Sequence, residues 1–148
     1  MKKRIASLLT YLAAILFILP ACQKDNEDPQ PQKTKTELIT QASWKFSTAV
    51  VGTTDVSNTP QLACFKDNII TFSSNLSGNI DEGANICSPS TAGPFTWNFA
   101  SNESILHIST VLISGGSNDF TLVSLSSTQL IASQNYPPYG VVTVTFIH

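Results

Sequence analysis

In Gly140-Val141-Val142-Thr143-Val144-Thr145-Phe146-Ile147, Val142, Val144 and Phe146 fall on one face and Thr143 and Thr145 on the other. That period of two is what a half-buried strand requires. The same alternation stands upstream, where Phe95, Trp97 and Phe99 oppose Thr96 and Asn98. Further runs rich in Val, Ile, Thr and aromatic residues bring the expected strands to eight: residues 44–51, 68–73, 78–81, 94–99, 104–109, 119–125, 129–133 and 140–147. Turn residues separate them at Ser74-Asn75-Leu76-Ser77-Gly78, Ser101-Asn102-Glu103, Gly115-Gly116-Ser117-Asn118 and Ser126-Ser127. Links this short favour antiparallel neighbours in chain order. Only residues 36–42 suggest helix, one or two turns with Glu37 at the favourable end of the dipole, and nothing later looks helical. Antiparallel strands with one apolar face close on themselves or pack as two sheets, so the class is all-β.

Upstream of this domain, residues 23–35 carry no aliphatic or aromatic side chain and cannot bury a core. With Pro29 and Pro31 they form an extended, disordered spacer reaching at most about 40 Å. Before it, Lys2, Lys3 and Arg4 precede an uncharged apolar stretch, residues 5–19, that ends in Leu19-Pro20-Ala21-Cys22. This is the layout of a signal peptide. As a helix the stretch spans roughly 22 Å, short of the ~30 Å hydrocarbon core. Leu19 to Cys22 resembles the lipobox of bacterial lipoproteins, which implies cleavage of residues 1–21 and a diacylglyceryl group on Cys22. Lys24, Asp25, Glu27 and Asp28, directly after that cysteine, resemble the surface-export signal of Bacteroidetes-type lipoproteins. The expected location is the outer membrane, lipid-anchored and exposed at the cell surface, with a periplasm-facing domain as the alternative. Several acyl chains at about 0.8 kcal/mol per buried methylene make such an anchor firm. Losing three cationic residues makes a chain of net charge −2 more acidic. With five lysines and no arginine left beyond the cleavage site, nucleic acid is not an expected partner.

Residues 36–148 suffice for one domain. Glu37-Leu38-Ile39 leading into Ala42-Ser43-Trp44, then Cys64-Phe65-Lys66-Asp67-Asn68-Ile69-Ile70-Thr71-Phe72, Cys87, Phe95-Thr96-Trp97 and Ile105-Leu106-His107-Ile108 resemble the small lipocalin-like domains of Bacteroidetes lipoproteins. The resemblance implies an eight-stranded antiparallel up-and-down barrel, monomeric, after a short N-terminal helix. Lipocalins usually carry glycine two residues before the first-strand tryptophan, where this chain has Ala42. Cys64 and Cys87 are the remaining cysteines, and an exported chain meets conditions that permit disulfides. Paired, they would close a loop worth roughly 3 kcal/mol.

Catalysis is hard to assemble from these residues. The domain's histidines are His107, on the polar face of its strand, and His148, and no Gly-x-Ser-x-Gly elbow is present. Asp81 and Glu82 are adjacent and so point to opposite strand faces, unlike a glycosidase pair. Residues 81–85 are not an EF-hand loop, and zinc would lack ligands. A non-enzymatic domain without metal or cofactor is expected. Two binding roles stand side by side. In one, the barrel holds a small apolar ligand against Trp44, Phe46, Phe72, Phe95, Trp97, Phe120 and Phe146, unless those aromatics simply fill the core. In the other, the domain is a surface interaction module for a protein or glycan, comparable to barrel-shaped protease inhibitors or a carbohydrate-binding subunit. Tyr136-Pro137-Pro138-Tyr139, in the loop before the last strand, would then be its contact surface.

Overall fold

Eight long strands and one two-residue strand make a single antiparallel sheet in the computed structural model, which describes residues 31–113 and 115–148. The expected signal peptide, Cys22 and the spacer as far as residue 30 lie outside those residues. The elements in chain order are α1 (Lys35–Thr40), β1 (Trp44–Val51), β2 (Thr54–Asp55), α2 (Pro60–Ala63), a 3-10 turn (Cys64–Asp67), β3 (Ile69–Phe72), β4 (Ser77–Asp81), β5 (Gly93–Ala100), β6 (Ile105–Ile108), β7 (Asp119–Leu125), β8 (Gln129–Tyr136) and β9 (Gly140–Ile147). Each strand from β3 to β9 pairs with the next, and β1 pairs with both β3 and β9, so the sheet closes into an eight-stranded up-and-down barrel. The short β2 folds back on the end of β1 beside Val50 and Val51.

Alternation places the core as the sequence pattern requires. Val142, Val144 and Phe146 of β9 are buried, as are Phe95 and Trp97 of β5, while Thr96 and Asn98 are exposed. Two bulges maintain this arrangement. The register shift between Phe46 and Thr48 lets Phe46 and Ala49 both face inward, and another lies between Leu122 and Ser124. An extra residue in one strand resets the inside–outside phase in this way. Gly78 meets a different need, since a Cβ there would stand 2.2 Å from the Phe95 ring.

The two barrel ends are closed by helical segments. α1 begins one residue before its expected start because Thr34 and Glu37 form a reciprocal capping box. Its Ile39 is fully buried, and the Ile39 carbonyl accepts the Trp44 indole N–H at 2.8 Å. Ala42, where lipocalins usually have glycine, is exposed.

At the opposite end, the expectation of a fully extended chain after residue 42 is corrected: residues 60–67 are helical. Thr59 is the N-cap and Pro60 opens α2, where its fixed φ suits the first turn and its missing N–H costs nothing. Leu62 and Phe65, three residues apart, point the same way into the core. The Cys64–Cys87 disulfide is formed and ties this plug to the loop between β4 and β5. The last hairpin also differs, because β8 continues past residue 133 until Tyr136 pairs with Gly140. Tyr136 therefore ends a strand, and the Tyr139 N–H closes the turn on the Tyr136 carbonyl at 2.8 Å.

Candidate functional site at the barrel mouth

All seven aromatic residues expected to line a pocket are buried, with relative exposures from 0% for Trp44 to 9% for Phe46. Phe72 meets both Phe95 and Trp97 edge-to-face with ring centroids 5.4 Å apart. Phe46 meets Phe146 at 6.4 Å, also edge-to-face. These are the favourable arrangements for aromatic quadrupoles. Phe120 and Phe146 border both of two interior voids, each of about 10 Å³. That is the room of a single water, and the walls are apolar. Trp44 stands apart at the α1 end, its ring 4.0 Å from that of His148.

Open space lies instead around α2, in two hollows. One is a cleft of about 340 Å³ between α2 and the β4–β5 loop, floored by Cys64 and Cys87 and walled by Pro60, Phe65, Ile86 and Pro89. The other, about 130 Å³, lies between α2, the end of β1 and the β8–β9 turn, and Val51, Val56, Leu62, Val142 and Tyr139 line it. Pro60, Gln61 and Tyr136 border both. Tyr136 and Tyr139 stack with centroids 5.6 Å apart and planes 10° from parallel, leaving Tyr139 53% exposed. Ile86, on the far lip, is 71% exposed.

Carboxylates hold the loops of this mouth. Glu82 is 3% exposed, and its oxygens accept from the Thr91 N–H at 2.7 Å, the Thr91 hydroxyl at 2.9 Å and the Ser90 hydroxyl at 2.8 Å. Burial pushes its pKa up, but hydrogen bonds from Thr91, Ser90 and the Cys87 backbone outweigh that and hold it below the ordinary carboxylate value. Asp67 Oδ2 accepts from the N–H groups of Ala84 and Asn85, which likewise overcome desolvation and lower its pKa. Gly83 is needed beside it, because its φ is +60° and a Cβ would stand 2.8 Å from Asp67 Oδ2. The Ser57 side chain and, after it, the Ser57 N–H bonded to Asp55 hold that carboxyl below its ordinary value too.

His107 lies elsewhere, on the outer face of β6, with Nδ1 2.6 Å from Asp119 Oδ1. Asp119 orients the ring, and both side chains face solvent rather than either hollow. Asp81 is exposed while neighbouring Glu82 is buried, so they occupy opposite faces. Among the described residues no three His, Cys, Asp or Glu side chains gather as metal ligands, and no helix is long and apolar enough to cross a membrane.

The sequence carried one overlooked signal for this site, Thr59-Pro60 as a helix start. That Gln61, Ile86 and Thr91 would share a cleft was not legible, because distant segments bring them together.

A closed eight-stranded antiparallel up-and-down barrel with a short helix before its first strand defines a lipocalin-like class of domain. The model of the lipocalin-like domain family matches residues 40–132, and the chain belongs to that family. No curated protein matches the chain.

Proposed function

We propose that this protein is a lipid-anchored, non-catalytic binding module that takes a small apolar ligand at the barrel mouth rather than in the barrel interior. The observation that carries the reading is the contrast between interior voids of about 10 Å³ and the hollows of about 340 and 130 Å³ beside α2. The larger hollow reaches the size typical of small-molecule pockets, about 300–1,000 Å³, and the smaller one beside it supplies the more apolar wall. Membership of the lipocalin-like family supports a ligand-binding role, although fold alone does not assign one. The signal-like N-terminus and the lipobox-like Leu19 to Cys22 support an anchor on Cys22 and a place at the outer membrane, facing the cell exterior.

Two experiments test this reading. Native mass spectrometry of the domain from its own host should retain a small-molecule adduct that is lost in a Tyr139→Ala variant. An adduct-free mass for the wild-type domain would count against it. For the anchor, Cys22→Ala should release the protein from membranes or leave it unprocessed. A processed, firmly membrane-bound variant would refute the lipid attachment.

A further inference from the structure

We infer that the two hollows beside α2 form one bipartite site for an uncharged amphiphile, whose apolar end lies beside Tyr139 and whose neutral, hydroxyl-bearing end enters the disulfide-floored cleft. The inference rests on the mouth-binding reading above and adds the chemical class of the ligand.

Three observations carry it. First, the hollows are neighbours, because Pro60, Gln61 and Tyr136 belong to the walls of both and only these residues need be crossed by one ligand. Second, they differ in character. The hollow by Tyr139 draws on Val51, Val56, Leu62 and Val142, with Thr59 at its edge, whereas the cleft sets Ser88 and Thr91 among its apolar walls, and Gln61 is common to both. Third, neither lining includes Lys, Arg, His, Asp or Glu. Nearby charges are already engaged: Lys66 donates to Asn58, Asp55 holds Ser57, and Glu82 is bound by Ser90 and Thr91 beneath the cleft.

A ligand's charge moved from water into such walls would lose hydration with no counter-charge to replace it. Hydroxyl groups, by contrast, can exchange water for Gln61, Ser88 or Thr91 at little net cost. A hydrocarbon alone would displace water from Gln61 and Ser88 without replacing it, which favours a molecule with two unlike ends.

Octyl β-glucoside below its micelle concentration, octanoate and glucose separate the contributions, each titrated calorimetrically into the domain. Octyl glucoside should bind at least tenfold more tightly than octanoate, and glucose alone should give no measurable heat. Val56→Asp and Tyr139→Ala should each weaken glucoside binding tenfold or more. Tyr139 is exposed, so its variant keeps the fold, as circular dichroism will show. Octanoate binding as tightly as the glucoside, with both variants still weakening it, would overturn the uncharged class and leave the mouth-binding reading intact. Glucoside binding unaffected by either variant would overturn both, as would no binding by any of the three probes together with an adduct-free native mass.

Discussion

At the α1 end, Trp44 and Ile39 are fully buried, the indole N–H is used by the Ile39 carbonyl, and the His148 ring lies against the indole. At the mouth, a four-residue helix and a 3-10 turn plug the barrel, a disulfide holds them, and hollows remain on both sides. The four polar residues buried among the described ones, Ser57, Asn68, Glu82 and Gln134, all lie toward this second end. One end is sealed by apolar complementarity. At the other, hydrogen bonds of Ser57, Glu82 and the Gln134 amide oxygen fix loop geometry without filling space, while the Asn68 amide is buried with no hydrogen-bond partner among the described residues. This division lets a barrel with a packed interior still present concave surface.

Trp44→Ala should disturb the α1 end most severely. Removing a side chain that buries on the order of 200 Å² should cost roughly 3–5 kcal/mol in chemical denaturation. A loss below about 1 kcal/mol would mean that the α1 end is not a rigid seal. Reducing the Cys64–Cys87 bridge should cost about 3 kcal/mol. Hydrogen exchange should then quicken at residues 60–67 and 82–92 before it does at the α1 end. Uniform quickening over the whole barrel would erase the distinction between the ends.

Glu82→Gln should separate the two ends by pH. Its carboxyl is held below its ordinary value of 4.5 in the fold. It therefore stabilises the native state above that value, and the contribution is lost as pH falls through the lowered, folded-state pKa. The wild-type melting temperature should drop as the solution is acidified below about pH 4.5. Glu82→Gln should lower stability at neutral pH by about 1–3 kcal/mol, since the Thr91 and Ser90 donors lose a charged acceptor. The variant's melting temperature should also fall less on acidification. Asp55 and Asp67, lowered in the same way, keep the remaining acid sensitivity at the mouth. The smallest effect is expected for Thr96→Ser on the outer face of β5, within about 0.5 kcal/mol by thermal melting.

Much of the barrel was legible in the sequence because alternation is a local signal. Residues 44–51, 119–125 and 140–147 form strands with the bounds read from the pattern, and the other five runs differ mainly at their ends. Trp44 and Trp97 could be placed inside for the same reason. The mouth was less legible. α2 is too short to show helical periodicity, and only its Thr59-Pro60 start marks it. The seven aromatics were readable as inward-facing, but whether inward faces meet or leave a pocket depends on side-chain interdigitation across strands distant in sequence. β8 ran on to Tyr136 because pairing with β9 outweighed the weak strand preference of Gln134 and Asn135.

Methyl-resolved NMR of the domain titrated with octyl β-glucoside addresses the claim that the interior is packed while the mouth binds. The account predicts progressive shifts at Val51, Val56, Leu62 and Val142, with Leu106, Ile108 and Leu130 unmoved. Shifts centred on Leu106, Ile108 and Leu130 would place the ligand inside the barrel and contradict it.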